Sequence, residues 1–263
     1  MDFPLSRAVV PELIVVDSSP STNADLVERL RAEPLAPYTT LVTMDQTAGR
    51  GRLDRQWIAP AGTALAISVV LAPRSASGEV LAFERYGWLA IAAGVAMTGT
   101  VAGMLPSAST GLKWPNDVLI GGRKVCGVLG EFVVERSALV MGAGVNVTMT
   151  ADQLPVPTAT SLAVEGAHAS ADRVLAGYLA KLRELVDAFG LADGDADRSG
   201  LRPLATRLCV TLGRAVRVEL PDGSTLQGTA TELDADGRLR VRRDDGATVA
   251  VAAGDVTHVR DTW

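Results

Sequence analysis

The chain has 263 residues, 48% hydrophobic and 21% charged, which marks a globular protein with one large core and a smaller second one and excludes a disordered chain. Its formal net charge of −5 argues against general nucleic-acid affinity, which needs a basic face. Two distant cysteines (Cys126, Cys209) and two histidines (His168, His258) in polar surroundings leave no disulfide framework, no zinc-ligand spacing and little for a Ser-His-Asp or Cys-His mechanism; they point to a cytoplasmic protein.

Met1 to Pro20 carries Asp2, Arg7, Glu12 and Asp17 and has no continuous apolar core, so it does not read as a signal peptide. Ser21-Thr22-Asn23 then offers a hydroxyl cap to a helix over 24–30. A strand is expected over 39–44, a buried strand over 63–71 and a long helix over 84–104. Within that helix Trp88 to Leu105 has no charge and the length of a membrane span. Its alanines, glycines and threonines fit a helix buried against a sheet instead, and no membrane association is expected. A short strand over 112–114 is interrupted by Pro115. Runs 117–120 and 123–135 flank Gly121-Gly122, a hairpin signal that sets Lys124 across from Leu119 near the Asn116-Asp117 corner.

A further central strand is expected over 139–147, ending near Asn146. Leu175, Tyr178, Leu179, Leu182, Leu185, Val186 and Phe189 recur at helical steps and mark an amphipathic helix. Gly190 to Gly200 reads as a polar surface connection and Leu201 to Leu208 as a short helix. Beyond it, strands over 215–220, 225–233, 239–243, 248–252 and 256–259 are cut by Pro-Asp-Gly, Asp-Ala-Asp-Gly and Asp-Asp-Gly turns, the texture of a small barrel. The expected division is 1–209 and 210–263, with an α/β (α+β) fold in the first part.

Chemistry concentrates in two places. In the stretch Gln46 to Trp57, Arg50, Arg52 and Arg55 offer planar forks to carboxylate or phosphate oxygens, and Gly49 and Gly51 let the backbone lie close to a ligand. Such a loop, with like charges closely set, is expected to be mobile when empty and ordered around an anion. The second place is Lys113-Trp114-Pro115-Asn116-Asp117, followed by Lys124. In a chain where 22 of 25 basic residues are arginine, Lys113 and Lys124 stand out; Lys181 has an ordinary helix-surface explanation. Taken singly, Trp114 reads as core, Asn116-Asp117 as a turn and Lys113 as surface. Together the ammonium, amide and carboxylate suit a metal-bound phosphate. No Walker-type phosphate loop occurs.

Five motifs in order (Ser21-Thr22-Asn23, the arginine loop, Lys113 to Asp117, Lys124 to Leu129, and Gly142 to Val147) resemble those of the biotin protein ligases, from about Ser18 onward. The resemblance implies a catalytic domain like that of class II aminoacyl-tRNA synthetases followed by an SH3-like β-barrel. It implies activation of biotin by ATP with Mg2+, through biotinyl-5′-AMP, and transfer to a lysine of a biotin carboxyl carrier protein domain. It also implies site roles. Ser21, Thr22, Asn23, Gln46, Gly51 and Trp57 would hold biotin, with Arg50, Arg52 and Lys124 at its carboxylate and at the reaction. Arg50, Arg52, Arg55, Lys113, Asn116 and Asn146 would hold ATP or the adenylate. Lys113 and Asp117 join the catalytic set, and Asn116 and Asp117 the metal set.

Two positions depart from the family pattern. Asp54 stands where glycine is usual in the arginine loop, and Cys126 where alanine is frequent. Lipoate ligases share the fold but carry a different arginine-glycine motif. A repressor form needs an N-terminal helix-turn-helix, for which Met1 to Asp17 is too short, so no DNA partner is expected. A non-catalytic biotin-binding module would not need Lys113 and Lys124. A monomer or homodimer fits equally.

Overall fold

A computed structural model describes residues 2–52 and 55–258. Two helices and two strands open the chain: α1 (Pro4–Arg7), β1 (Leu13–Val15), α2 (Thr22–Ala32) and β2 (Thr40–Thr43). A small hairpin of β3 (Gly49–Arg50) and β4 (Gln56–Trp57) precedes β5 (Ala64–Leu71) and α3 (Gly87–Met104). Then come β6 (Thr110–Lys113), β7 (Asp117–Ile120), β8 (Arg123–Val133), β9 (Ala138–Asn146), α4 (Ala171–Leu191) and α5 (Leu201–Leu208). The C-terminal strands are β10 (Ala215–Glu219), β11 (Thr225–Leu233), β12 (Leu239–Arg242), β13 (Thr248–Val251) and β14 (Asp255–His258).

Seven strands form the main sheet in the order β1-β2-β5-β9-β8-β7-β6, with β1 and β2 parallel and the rest antiparallel. The central strand β5 is buried end to end and β9 at every position but Gly144, which explains their near-continuous apolar runs. On one face, Leu65, Ile67, Val69 and Leu71 of β5 pack with α3 and α4 in the principal core. The charge-free helix α3 buries Trp88, Leu89, Ile91 and Met97 there. A helix apolar all round is a core helix once both its sides are covered, and α4 and the sheet cover this one. On the other face α2 presents Leu26, Val27 and Leu30 to Leu41, Val70 and Val140. Ser21 caps α2, its Oγ accepting from the Ala24 amide, as the hydroxyl before an apolar run predicts. Since α2 covers only part of this face, the sheet beyond it forms the floor of a cleft.

Two expected segments take another form. The expected long helix over 84–104 begins as a short 3-10 turn, Phe83–Tyr86, before the α-helix proper. The expected surface connection over 190–200 is not wholly at the surface, because Ala192 and Ala196 are buried. The five C-terminal strands make one antiparallel sheet, β13-β12-β11-β10-β14, with no ladder between β13 and β14 among the described residues. The last expected strand includes Val259, which lies outside the described residues, as does Asp54.

The C-terminal sheet rests on α3 and on the strand ends at β6. Trp88 Nε1 donates to Ala235 O at 2.8 Å and Trp114 Nε1 to Gly237 O at 3.0 Å. Gly237 has φ +77°, and a Cβ there would meet Ile91 at 2.9 Å, so the turn needs glycine both for its backbone and for the fit.

Candidate functional site

The cleft holds about 170 Å³ of free space on the α2 face of the sheet. Its wall gathers Ser21, Thr22 and Asn23 from the start of α2 and Gln46 from the connection between β2 and β3. Arg50, Gly51, Arg52, Arg55 and Trp57 join them from the hairpin and its loop, and Asn116, Asp117 and Lys124 from β7 and β8. Of the residues expected to act, Lys113 and Asn146 do not line it. Lys113 lies one strand away, paired with Asp117 in register, and is near His258. Asn146 is buried, with Nδ2 donating to Thr160 O at 2.8 Å.

A polar chain crosses the floor. Gln46 Oε1 accepts from the Thr22 amide at 2.9 Å, Thr22 Oγ1 is 2.8 Å from Ser68 Oγ, and Ser68 Oγ is 2.6 Å from Asn23 Oδ1. Asn23 Nδ2 donates to Leu129 O and to Glu131 Oε1, both at 3.1 Å. Glu131 in turn accepts from Arg50 at 2.9 and 3.1 Å. Glycines keep the floor open. A Cβ on Gly142 would meet the Asn23 amide at 2.9 Å or closer, and one on Gly144 would meet the Trp57 indole at 2.7–2.9 Å.

The cations are already engaged. Lys124 Nζ is 2.6 Å from Asp117 Oδ1, Arg50 pairs with Glu131, and Arg55 pairs with Asp255 of β14. Arg52 donates to Asn116 Oδ1 at 3.0 Å and to Gly254 O at 3.2 Å. The like charges of the loop are offset: carboxylates from β8 and β14 pair with Arg50 and Arg55, and the loop ends pair as β3 with β4. Burial pushes the Arg52 guanidinium below its usual range, against the pull of Asp117 and Asp255. The Asp255 hydrogen bond raises Arg55. Burial also pushes the Cys126 thiol up to about 12, so it is a neutral space-filler behind Lys124 rather than a nucleophile.

Sequence reasoning missed Ser68, Glu131, Asp255 and the backbone acceptor at Gly254. Ser68 had a signal, as the lone polar side chain in the buried run Ala64–Leu71. The others come from elements far along the chain and carried none. A larger groove of about 760 Å³ lies at the opposite ends of β2 and β5, among Pro11, Pro37, Pro73 and Leu191. It offers only Tyr38, Arg74, Ser75, Arg183 and Asp187 as side-chain polar groups, with Arg183 and Asp187 paired to each other. The convergent cations are in the first cleft.

Comparison with known proteins agrees with this geometry. Residues 15–146 match the biotin/lipoate A/B protein ligase family and residues 211–259 the biotin protein ligase C-terminal domain. The chain is 40% identical over 251 residues to a biotin–acetyl-CoA-carboxylase ligase of Mycobacterium tuberculosis, covering 95% of this chain and 90% of that one. It is 32% identical to the corresponding ligase of Paracoccus denitrificans, over 89% and 95% of the two chains. The biotin protein ligase of Aquifex aeolicus, solved with biotin and ATP, superposes with a TM-score of 0.76 at 24% identity, over 95% of this chain and 100% of that one, and shows the shared fold. Fold, motif order and near-full-length identity coincide, and the chain belongs to the biotin protein ligase family.

Proposed function

We propose that this protein joins biotin to ATP, giving biotinyl-5′-AMP and pyrophosphate, and then passes the biotinyl group to a lysine of a biotin carboxyl carrier domain, releasing AMP. The observation that carries the reading is the convergence of Arg50, Arg52, Arg55 and Lys124 on one cleft beside the polar floor of Thr22, Asn23 and Gln46. In the first step a carboxylate oxygen attacks the α-phosphorus and the bond to the departing pyrophosphate breaks. Both reactants are anions, so the rate depends on fixed positive charge and on positioning. In the second step the amine nitrogen attacks the acyl carbon, the bond to the phosphate oxygen breaks and the amine loses a proton.

The paired cations define what the substrates must do. A biotin carboxylate reaching Lys124 displaces Asp117, and phosphates reaching Arg50 and Arg55 displace Glu131 and Asp255. Asp117, once released, offers its charge to the incoming carrier ammonium. It also fits Mg2+, a hard cation that takes one or two carboxylates plus phosphate oxygens rather than an all-protein cage. Among the described residues no group of three or more potential ligands forms such a cage. Asp117 and the amide oxygen of Asn116 are the donors at hand, and the ion would neutralise phosphate charge. Lys113, outside the cleft wall, suits the carrier side of the site better than ATP. With two buried free cysteines, a cytoplasmic setting completes the proposal.

Pyrophosphate release measured with biotin and ATP tests the reading. The expected result is about one equivalent per enzyme without a carrier domain and sustained turnover with one. Release driven by lipoate and not by biotin would overturn it.

A further inference from the structure

We propose that Glu165 is a positioning residue for Lys124: it clamps the segment 158–160 against the Lys124 backbone and so fixes where the ammonium stands in the cleft. The inference rests on the biotin-activating reading above, in which Lys124 meets the reacting carboxylate. Lys124 sits where β8 leaves its regular ladder. Val118 pairs with Cys126 but Leu119 pairs with Lys124, so Val125 is an extra residue, a β-bulge. Val125 and Cys126 are both buried in the principal core, and the bulge thereby turns Lys124 to the cleft side. There Nζ is 2.6 Å from Asp117 Oδ1, and a Cβ on Gly127 would meet it at 2.9 Å.

On the other side of β8 the ladder with β9 reaches no further than Cys126 and Val145. Segment 158–160 takes the vacant place beside Lys124. The Lys124 amide donates to Thr158 O and the Thr160 amide donates to Lys124 O, both at 2.8 Å, as a parallel bridge to Ala159. This segment belongs to no strand, so its place depends on its anchors. Asn146 is one: its Nδ2 donates to Thr160 O at 2.8 Å and its carbonyl accepts from the Leu162 amide at 3.1 Å. Glu165 is the other, and it ties the segment to β8 itself. Its Oε1 accepts from Thr160 Oγ1 and, at 2.7 Å, from Arg123 Nη2. One carboxylate oxygen thus joins the residue that holds the Lys124 carbonyl to the residue next to Lys124 in β8.

The Glu165 and Arg123 side chains are 16% and 45% exposed, so solvent screens the pair and it adds little to stability. Its effect is on geometry. A small turn of the Lys124 backbone is magnified along a four-carbon side chain, and a shift of about 1 Å at a reacting group can cost up to about 10²-fold in rate.

Single-turnover pyrophosphate release with biotin and ATP, in wild type, Glu165→Ala, Lys124→Ala and the double variant, forms a cycle that tests this. Glu165→Ala should slow release about tenfold in wild type and less than about twofold in Lys124→Ala, where the group it places is gone. Glu165→Gln keeps an oxygen acceptor for Thr160 and Arg123 and should restore the rate to within about threefold of wild type. A purely structural role would slow both backgrounds alike. Equal losses in the two backgrounds, no loss in Glu165→Ala, or no recovery in Glu165→Gln would overturn the proposal. If Glu165→Ala does not melt cooperatively, Thr160→Val carries the same cycle. A loss of about threefold that needs Lys124 is then expected, and one that does not need it overturns the proposal. Wild type that releases no pyrophosphate from ATP with biotin would sink the ligase reading itself. An active wild type in which the two losses simply add would sink only the role of Glu165.

Discussion

At the scale of single residues, the cleft is a set of charges held by one another. Lys124 and Asp117 are 2.6 Å apart with side chains 44% and 20% exposed, so solvent screens the pair and its removal costs about 1 kcal/mol or less of stability. Its loss at a reacting carboxylate is a different matter. Lys124→Ala is expected to stay folded and to lower biotinyl-adenylate formation by about 10²–10³, the usual effect of deleting one charge-stabilising donor. Single-turnover pyrophosphate release, read beside a melting curve, checks this; near-normal release from folded protein would remove Lys124 from the reaction. Charge-bearing residues within the motifs were legible because their types and spacing are unusual. Their counter-ions were not: Glu131 lies beyond the hairpin turn, and Asp255 sits 200 positions from the arginine it holds. No local pattern encodes such a pair, since only the folded chain brings β14 to the loop.

At the scale of elements, most of the secondary structure was readable because burial is written in periodicity. The hairpin of β7 and β8 was set by Gly121-Gly122, with φ values of +55° and +79°, and Lys124 does pair across from Leu119. The hairpin of β3 and β4 was not readable, because glycine and arginine carry no strand pattern and its ends pair over only two positions on each side. What seats it is the sheet below: Trp57 lies over Gly144 of β9, where any side chain would collide. Gly144→Ala should therefore lift β4 off the floor. Because the hairpin is at the surface, the expected stability loss is small, about 1 kcal/mol. Biotin binding should weaken about 10- to 100-fold as the apolar wall moves. Calorimetric titration together with a melting curve decides it, and unaltered affinity would show that Trp57 does not wall the site. Hydrogen exchange at the described loop ends, 49–52 and 55–57, should slow when biotin and ATP are added; equal exchange with and without them would refute ligand-driven ordering.

At the scale of the whole molecule, the sequence shows a change of texture near Cys209, but it does not show how tightly the two parts are joined. The seam is built from side chains whose polar atoms need partners on the other side. Trp88 and Trp114, fully buried, donate to carbonyls of the turn between β11 and β12, and the Trp114 amide donates to Thr211 Oγ1 at 3.1 Å. One core cluster runs through both parts, from Trp88 and Ile91 to Val216 and Val241. Separating them would expose two indoles and strand their N–H groups, so a single cooperative unfolding transition is expected. Two resolved calorimetric peaks would contradict this.

His258 makes the same seam sensitive to pH. Its Nε2 is 3.2 Å from Thr211 Oγ1, and partial burial, with Lys113 and Arg214 nearby, lowers its pKa from 6.5 to about 4. The folded protein thus keeps this imidazole neutral where the unfolded chain protonates it. The resulting stability is fully present above about pH 6.5 and is lost progressively as pH falls toward 4. The ring is partly exposed to screening solvent, so the loss is on the order of 1 kcal/mol. Other groups titrate in the same window, and the difference between proteins isolates this one. His258→Asn keeps a side chain able to bond Thr211 and removes the titration, so the drop in melting temperature between pH 7 and pH 4.5 should be smaller in the variant by a few degrees. Parallel pH profiles in the two proteins would show that His258 titrates alike in the folded and unfolded states.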